Sequence, residues 1–429
     1  MGKAEWLPNA ENTKKILDRW NEVKERIDKL VEKKIDPIYF EWAGKITPWL
    51  KESKYAPWML DRVTNSNVDM AKVAVALPDP HRDPSWGREH LEVTEQLAKD
   101  LGLDRETADK YLHEMMEKEL VNPTRNGYQR QRGSQLLHLI HSHPKYPDSV
   151  LADMVLCYTR FEMQKHRNER LDWIKESGGR PPSGMGPIRP RWKSIQNVPG
   201  VLPAEDWREV MKAKKTWAVL PCICRLDDRG SDSELPVERC MQADKSAEYG
   251  LARGAARELT LKEAFDLYEE LGKYPLLNMS GLGKDAVKAG PECICAWDSC
   301  LAMTHYYLPG SKYKISDFII KNRFRATVDP EKCIGCRVCA DERCQFGASQ
   351  MKYYPEFDEE RAYVDEDKCM GCGLCVETCP VGCKGMKIVE PPEYILDLPE
   401  EGGAMGIDVE QLMAATEREK AEIEAKKEK

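Results

Sequence analysis

The sequence predicts an α+β multidomain chain. It reads as a helical N-terminal half that includes a helix-turn-helix with a hairpin wing, a cysteine-rich α/β segment, and a small C-terminal domain organised by two cysteine motifs. Three observations carry this reading. Apolar residues early in the chain (Ile16, Trp20, Val23, Ile27 and Leu30) recur at steps of three and four, the period of an amphipathic helix. Residues 177–200 are dense in Pro, Gly and Arg, the composition of a connection between domains. All but one of the 16 cysteines, Cys157, come after that run, and they come in groups.

Taken in order, residues 1–87 are expected to be helical, with 12–34 as the first amphipathic helix and 35–72 as short helices. Residues 88–176 look like a winged helix followed by a long helix. A first helix over 92–99, a turn at Leu101-Gly102-Leu103 and a second helix capped by Asp104 make the helix-turn-helix. Leu120 and Val121 open the wing, and Asn126-Gly127, a strong hairpin dipeptide, is its expected tip. A helix over 149–176 follows, and then the linker 177–200.

In residues 201–327, Ala218 to Leu220 read as a short strand ended by Pro221. Thr260 and Glu263 form a capping box that opens a helix reaching Leu271, with Gly272 as its stop. Residues 328–392 form the last compact domain. Residues 393–429 are an extended segment and a charged helix beginning near Asp408.

Composition excludes some classes of function. With 32% charged residues and a net charge of -8, the chain does not have the basic balance of a nucleic-acid binder. The expected reading helix of the winged module is itself acidic. It sets Asp104, Glu106, Asp109, Glu114, Glu117 and Glu119 against Arg105, Lys110 and Lys118, which would repel phosphates, so DNA is not the expected partner. A protein-docking use is expected instead, with a purely structural role next. No segment reaches the roughly 18 apolar residues of a membrane span, and the first twenty residues lack a signal-type apolar core, so a cytoplasmic protein is expected. In a reducing compartment, clustered cysteines mean metal ligation rather than disulfides.

The motifs near the C-terminus are the most specific signal. The first is Cys333-Ile-Gly-Cys336-Arg-Val-Cys339 followed, after four residues, by Cys344. The second is Cys369-Met-Gly-Cys372-Gly-Leu-Cys375 followed, after three, by Cys379-Pro380. Two-residue spacers let three thiolates curl round one face of an iron–sulfur cube, with the fourth ligand brought from elsewhere. Zinc sites pair their cysteines instead, so this doubled triple favours iron and sulfide.

Residues 328–390 closely resemble bacterial-type two-cluster ferredoxins. The resemblance implies a ferredoxin-like fold and two [4Fe–4S] clusters. One would be held by Cys333, Cys336, Cys339 and Cys379, the other by Cys369, Cys372, Cys375 and Cys344. The first motif departs twice from the family: it has an extra residue before Cys344, and Gln345 where Pro is usual. Cys383 stands where the family has a small packing residue and is expected to be a core thiol. Across residues 329–400, sixteen acidic residues face eight basic ones, a balance that favours low potential and docking on a positive partner.

Upstream lie Cys222-Ile-Cys224-Arg225, Cys240, Cys293-Ile-Cys295 and Cys300. The two CxC pairs are expected to need bends before both members reach one centre, with Pro221 and Pro291 supplying them. This stretch also resembles iron–sulfur proteins of anaerobes in which a CxCR element, a middle Cys and a CNC-type element precede a two-cluster domain. That resemblance implies a third metal site among these six cysteines. It departs at residues 296–299, where further cysteines are common. A third [4Fe–4S] cluster ranks first, a structural zinc second and a redox-active dithiol third.

Weaker signals are read as ordinary. His138, His141 and His143 are expected to be surface and core histidines, and Cys157 a core thiol. Gly281-Leu-Gly283-Lys284 lacks phosphate-loop spacing, and no GxGxxG follows a strand, so there is no flavin or nicotinamide fingerprint. Electrons must therefore come from and go to other proteins. The expected function is an electron-transfer subunit, with no catalytic residues of its own, in a hetero-oligomeric anaerobic oxidoreductase, partnered by a flavoprotein or a metal-cofactor enzyme. The alternatives are a redox-sensing winged-helix regulator and an enzyme with an open iron–sulfur site at the third cysteine group.

Overall fold

A computed structural model describes residues 7–77, 89–124, 127–130, 137, 139–176, 188–228, 234–279, 292–301, 303–317 and 319–396. Helices and antiparallel sheets are both present. The expected helix from Asp408 lies outside the described residues, as do His138, Pro291 and residues 281–284.

The N-terminal half builds one large core. Helix α1 (Ala10–Leu30) is capped by Asn9, whose side chain accepts the Asn12 N–H, and it buries Ile16, Trp20 and Ile27 on one face. Helices α2 (Ile38–Ile46), α3 (Ala56–Val63) and α4 (Val68–Ala76) follow, and Trp42, Met59, Leu60 and Val73 are fully buried among them. Next come α5 (Glu89–Asp100) and α6 (Arg105–Glu117), the latter capped by Asp104 through the Thr107 N–H. Strands β1 (Val121–Thr124) and β2 (Gly127–Arg130) form a hairpin in which Thr124 pairs with Gly127. Gly127 is thus a strand residue rather than the tip, and Asn126 lies outside the described residues.

The helix expected over 149–176 is two α-helices joined by a wider turn. Helix α7 (Ser149–Cys157) runs into a π-helical segment, Tyr158–Glu162, and then into α8 (Met163–Glu176). Cys157 is a core thiol, as expected, and burial pushes it up to about 12.

The linker is only partly a linker. Residues 188–195 form strand β3 (Ile188–Arg189) and the short helix α9 (Trp192–Ile195), and Ile188, Arg189 and Arg191 are buried. Proline and glycine density argues against long elements, yet a two-residue strand needs only one neighbour, and the strand Leu277–Met279 supplies it.

The cysteine-rich segment is a six-stranded sheet, antiparallel at every pairing, in the order β3-β7-β8-β5-β4-β6. After α10 (Trp207–Lys212) come β4 (Trp217–Pro221), α11 (Ile223–Asp227), β5 (Glu238–Ala243), α12 (Lys245–Ala252) and β6 (Arg257–Leu259). Helix α13 (Leu261–Leu271) opens with the expected capping box, Thr260 and Glu263 each bonding the other's backbone N–H, and ends at Gly272. Strands β7 (Leu277–Met279) and β8 (Glu292–Cys295) complete the sheet. One face packs Val219, Met241, Leu259 and Ile294 against Trp207 and Tyr268, which stack at 4.1 Å.

In the last domain, β9 (Phe324–Val328) pairs with β12 (Lys384–Ile388), enclosing the hairpin of β10 (Ser349–Tyr354) and β11 (Glu359–Val364). Helix α14 (Leu374–Glu377) and the five-residue turn Cys339–Arg343 carry one cysteine of each motif, and α15 (Glu393–Leu396) ends the described chain.

Candidate metal centres

The chain ends of the last domain are tied together by β9 and β12, so the two cysteine motifs are folded over one small core. Cys333, Cys339, Cys369, Cys375 and Cys383 are buried in it, with Cys344 and Cys379 packed against it. Backbone N–H groups point at three of these sulfurs. Ala362 donates to Cys333 Sγ at 3.3 Å, and Ala326 to Cys369 Sγ at 3.5 Å. Ala348 and Ser349 donate to Cys344 Sγ at 3.2 and 3.3 Å. Such donors stabilise ligand sulfur and raise cluster potential.

Cys344, Cys369, Cys372 and Cys375 line one cavity with about 350 Å³ of empty space counted out to solvent. Burial pushes the thiols of Cys344, Cys372 and Cys375 up, and each is pushed further by the neighbouring thiols. Buried thiols crowded in this way suit a cation that displaces their protons. Glycines make the loop round the cavity possible. Gly371 and Gly373 sit at φ +79° and +77°, and a Cβ on either would drive into Asn322 or Ser194. The loop is also held from outside. Arg191 N donates to Cys372 O at 2.9 Å, Asn322 Nδ2 donates to Gly371 O at 2.9 Å, and the Arg191 guanidinium pairs with Glu377 at 2.6 Å. Residues read as linker thus clamp the second motif.

The first motif lies nearer solvent. Cys336 is exposed, and Ile334 beside it is 60% exposed. Cys383, expected to be a core thiol, is buried, stands 3.4 Å from Cys379 Sγ and also hydrogen-bonds Cys333. Burial and the Cys379 contact push it up to about 12. The first motif's neighbourhood therefore holds five thiols, Cys336 and Cys339 included.

The six upstream cysteines come together. Cys240 on β5 sits directly opposite Cys293 on β8, and the two thiols hydrogen-bond. Cys295 bonds both Cys293 and Cys300, and Cys222 bonds Cys224. Cys222 is within electrostatic range of Cys240, as is Cys224 of Cys300, which closes the ring. The bend expected within the second CxC pair is not needed: residues two apart on a strand share a face, so β8 presents Cys293 and Cys295 together. Cys222 follows β4 (Trp217–Pro221) and is the N-cap residue of α11, whose first turn brings Cys224 back beside it. The Cys224 hydrogen bond pulls Cys222 down to about 6 against burial, helped by the Arg239 guanidinium. Among the described residues, no three His, Cys, Asp or Glu side chains are gathered as a single-ion site, whether in this ring or in the two motifs.

The N-terminal half covers this ring. Asp228 pairs with Arg19 and accepts from Trp20 Nε1 at 3.2 Å, and Asp227 pairs with His141. The acidic partner that the sequence did not reveal for His141 therefore comes from α11. Residues 296–299, where further cysteines were sought, hold Trp297, Asp298 and Ser299, all buried. Asp298 faces Arg225 at 3.5 Å.

The two cysteine regions share a core. Cys295 and Cys300 pack with Met370, Leu374, Phe346 and Cys372. The buried phenol of Tyr307 lies within electrostatic range of Cys300 and also of Cys344 and Cys372.

Residues 332–383 match the model of the 4Fe-4S dicluster domain. This segment is a ferredoxin-like iron–sulfur domain. The dicluster domain accounts for both motifs, including Cys383 at its end, and leaves the upstream ring unmatched. Neither a curated protein nor a solved structure matched the chain. Among the described residues, no helix is long and apolar enough to cross a membrane.

Proposed function

We propose that the chain is an electron-transfer subunit carrying a line of iron–sulfur centres from its interior to its surface. The observation that carries this reading is the cavity lined by Cys344, Cys369, Cys372 and Cys375, which gathers one cysteine of the first motif with three of the second. In this reading those four hold the inner cluster of the dicluster domain. Cys333, Cys336, Cys339 and Cys379 hold the outer one, and four of the six upstream cysteines hold a third. The bound clusters supply one-electron chemistry. The chain's residues hold them, donate N–H groups to sulfur, and exclude water from the inner two positions.

Order along the line follows burial. The upstream ring lies beneath the N-terminal half, the second motif abuts it through Tyr307 and Phe346, and the first motif ends at exposed Cys336. A redox partner, a flavoprotein or metal-cofactor oxidoreductase in a hetero-oligomer, would dock beside Ile334 and Val381, both exposed. A DNA-binding role finds no support in the winged module. Arg253 of the cysteine-rich segment donates to Glu117 O at 3.1 Å and pairs with Glu119, so the end of α6 docks within the chain.

The reading is tested by reducing the anaerobic protein with dithionite and following electron delivery to a one-electron acceptor. Cys372→Ala should retain the folded chain and lose most of the flow from the interior. Undiminished turnover in that variant would contradict it.

A further inference from the structure

Four guanidiniums, those of Arg160, Arg167, Arg225 and Arg239, crowd the upstream cysteine ring. Arg239 and Arg160 are each 1% exposed. Arg239 Nη2 donates to Ser299 Oγ at 3.1 Å, while its buried Nε and Nη1 meet no well-formed partner. Its charge is turned on Cys222 and Cys295. Arg160 Nη2 donates to Ser299 O at 2.6 Å and to Cys224 O at 3.4 Å, and its Nε and Nη1 are likewise buried without partners. Arg225 faces Asp298 at 3.5 Å. Asp228 pairs with Arg19 and is also within electrostatic range of Arg160 and Arg225, while Asp227 pairs with His141. Arg160 and Arg239 each therefore hold two buried nitrogens, Nε and Nη1, with no oxygen partner. An uncompensated buried guanidinium is strongly unfavourable, so this arrangement fits an anion held among them.

The chemistry of the anion follows from its neighbours. Four cysteine thiolates round an oxidised four-iron cube carry a net double negative charge, which suits a site ringed by guanidiniums. Arg160 reaches the ring because of a backbone feature. It lies in the π-helical segment Tyr158–Glu162 between α7 and α8, and such one-turn widenings recur at functional sites. The Trp20 ring covers it at 5.0 Å. Arg160 belongs to the N-terminal half and Arg239 to the sheet, so the two sides of the joint each contribute a cation.

We propose that Arg160 and Arg239 are positioning residues of a third iron–sulfur centre. They compensate its charge and raise its reduction potential relative to an uncompensated site. This rests on reading the upstream ring as an iron–sulfur site.

The test uses full-length, anaerobically purified protein: wild type, Arg160→Gln, Arg160→Lys and Arg239→Gln. Iron, acid-labile sulfide and EPR-monitored redox titrations are measured for each. Removing one positive charge should leave the two dicluster centres unshifted. The reduced-to-oxidised ratio of the third centre at fixed ambient potential should fall about tenfold, which is 59 mV for one electron. Loss of that centre alone, with iron falling by about four per chain, also supports the proposal. Arg160→Lys should restore most of the shift. Wild-type iron near 12 with unmoved potentials in both Gln variants overturns the proposal and leaves the third cluster standing. Wild-type iron near 8 overturns the third cluster and the proposal together. If Arg160→Gln fails to fold, Arg160→Lys decides: a folded variant lacking only the third centre shows that charge is not what Arg160 supplies.

Discussion

The side-chain carbonyl of Gln345 accepts a hydrogen bond from the Trp297 N–H at 3.0 Å, and its amide nitrogen donates to Pro275 O. Gln345 occupies the position after Cys344 at which two-cluster ferredoxins usually have proline, and Trp297 lies two residues beyond Cys295. The departure from the family pattern is therefore the tie between the dicluster domain and the cysteine ring. Proline has no side-chain polar group and could make neither bond.

Gln345→Pro should remove both bonds and leave the Trp297 N–H buried. A loss of about 1–3 kcal/mol in urea unfolding is expected, with dicluster iron retained. Electron exchange between the ring and the inner cluster should slow. A stability change within about 0.5 kcal/mol would show that the tie is incidental.

Gly371→Ala and Gly373→Ala meet two penalties, a positive φ and a collision with Asn322 or Ser194. Each should destabilise the chain by about 1–3 kcal/mol and make the inner cluster more labile to oxygen. Gly382, also at positive φ (+62°) but with open space around it, serves as the control and should lose less on substitution with Ala. Thermal unfolding and the rate of bleaching separate the two effects.

The Cys379–Cys383 contact at 3.4 Å gives the outer site a spare thiol. Cys379→Ala should keep much of its outer cluster by recruiting Cys383. Cys379→Ala with Cys383→Ala should lose it, dropping about four iron per chain. Equal iron loss in the single and double variants would show that Cys383 does not substitute.

His305 packs half-buried against Trp20 at 5.1 Å, and desolvation of its ring, with Arg160 and Arg167 nearby, holds it well below its ordinary 6.5. The unfolded chain takes up a proton below pH 6.5 that the folded chain refuses. Stability should therefore fall as pH drops below 6.5, by up to about 1.4 kcal/mol per pH unit for this one group. His305→Gln should flatten that slope between pH 5 and 6.5, read from urea midpoints. An unchanged slope would place the titration on other groups such as His143, which burial also lowers.

Local chemistry made part of this structure legible. The Asp104 cap, the Thr260 and Glu263 capping box, the Gly272 stop and the iron–sulfur spacing of the two motifs are all short-range signals, decided by neighbours within a turn. The expected gathering of Cys344 with Cys369, Cys372 and Cys375 came from resemblance, and the cavity brings those four together. What stayed hidden is long-range. The register that sets Cys240 opposite Cys293 joins strands more than fifty residues apart. Strand β3 has no pattern of its own, because a neighbour imposes it. Arg160 looks like any helical arginine until the π turn aims it. The pairing of His141 with Asp227 likewise depends on two halves meeting.

The most direct test of the three-centre line is iron and acid-labile sulfide per chain on anaerobically purified wild-type protein. A value near 12 of each is expected, with two clusters in the dicluster domain and one among the six upstream cysteines. A value near 8 would confine the line to the dicluster domain and contradict a third iron–sulfur centre.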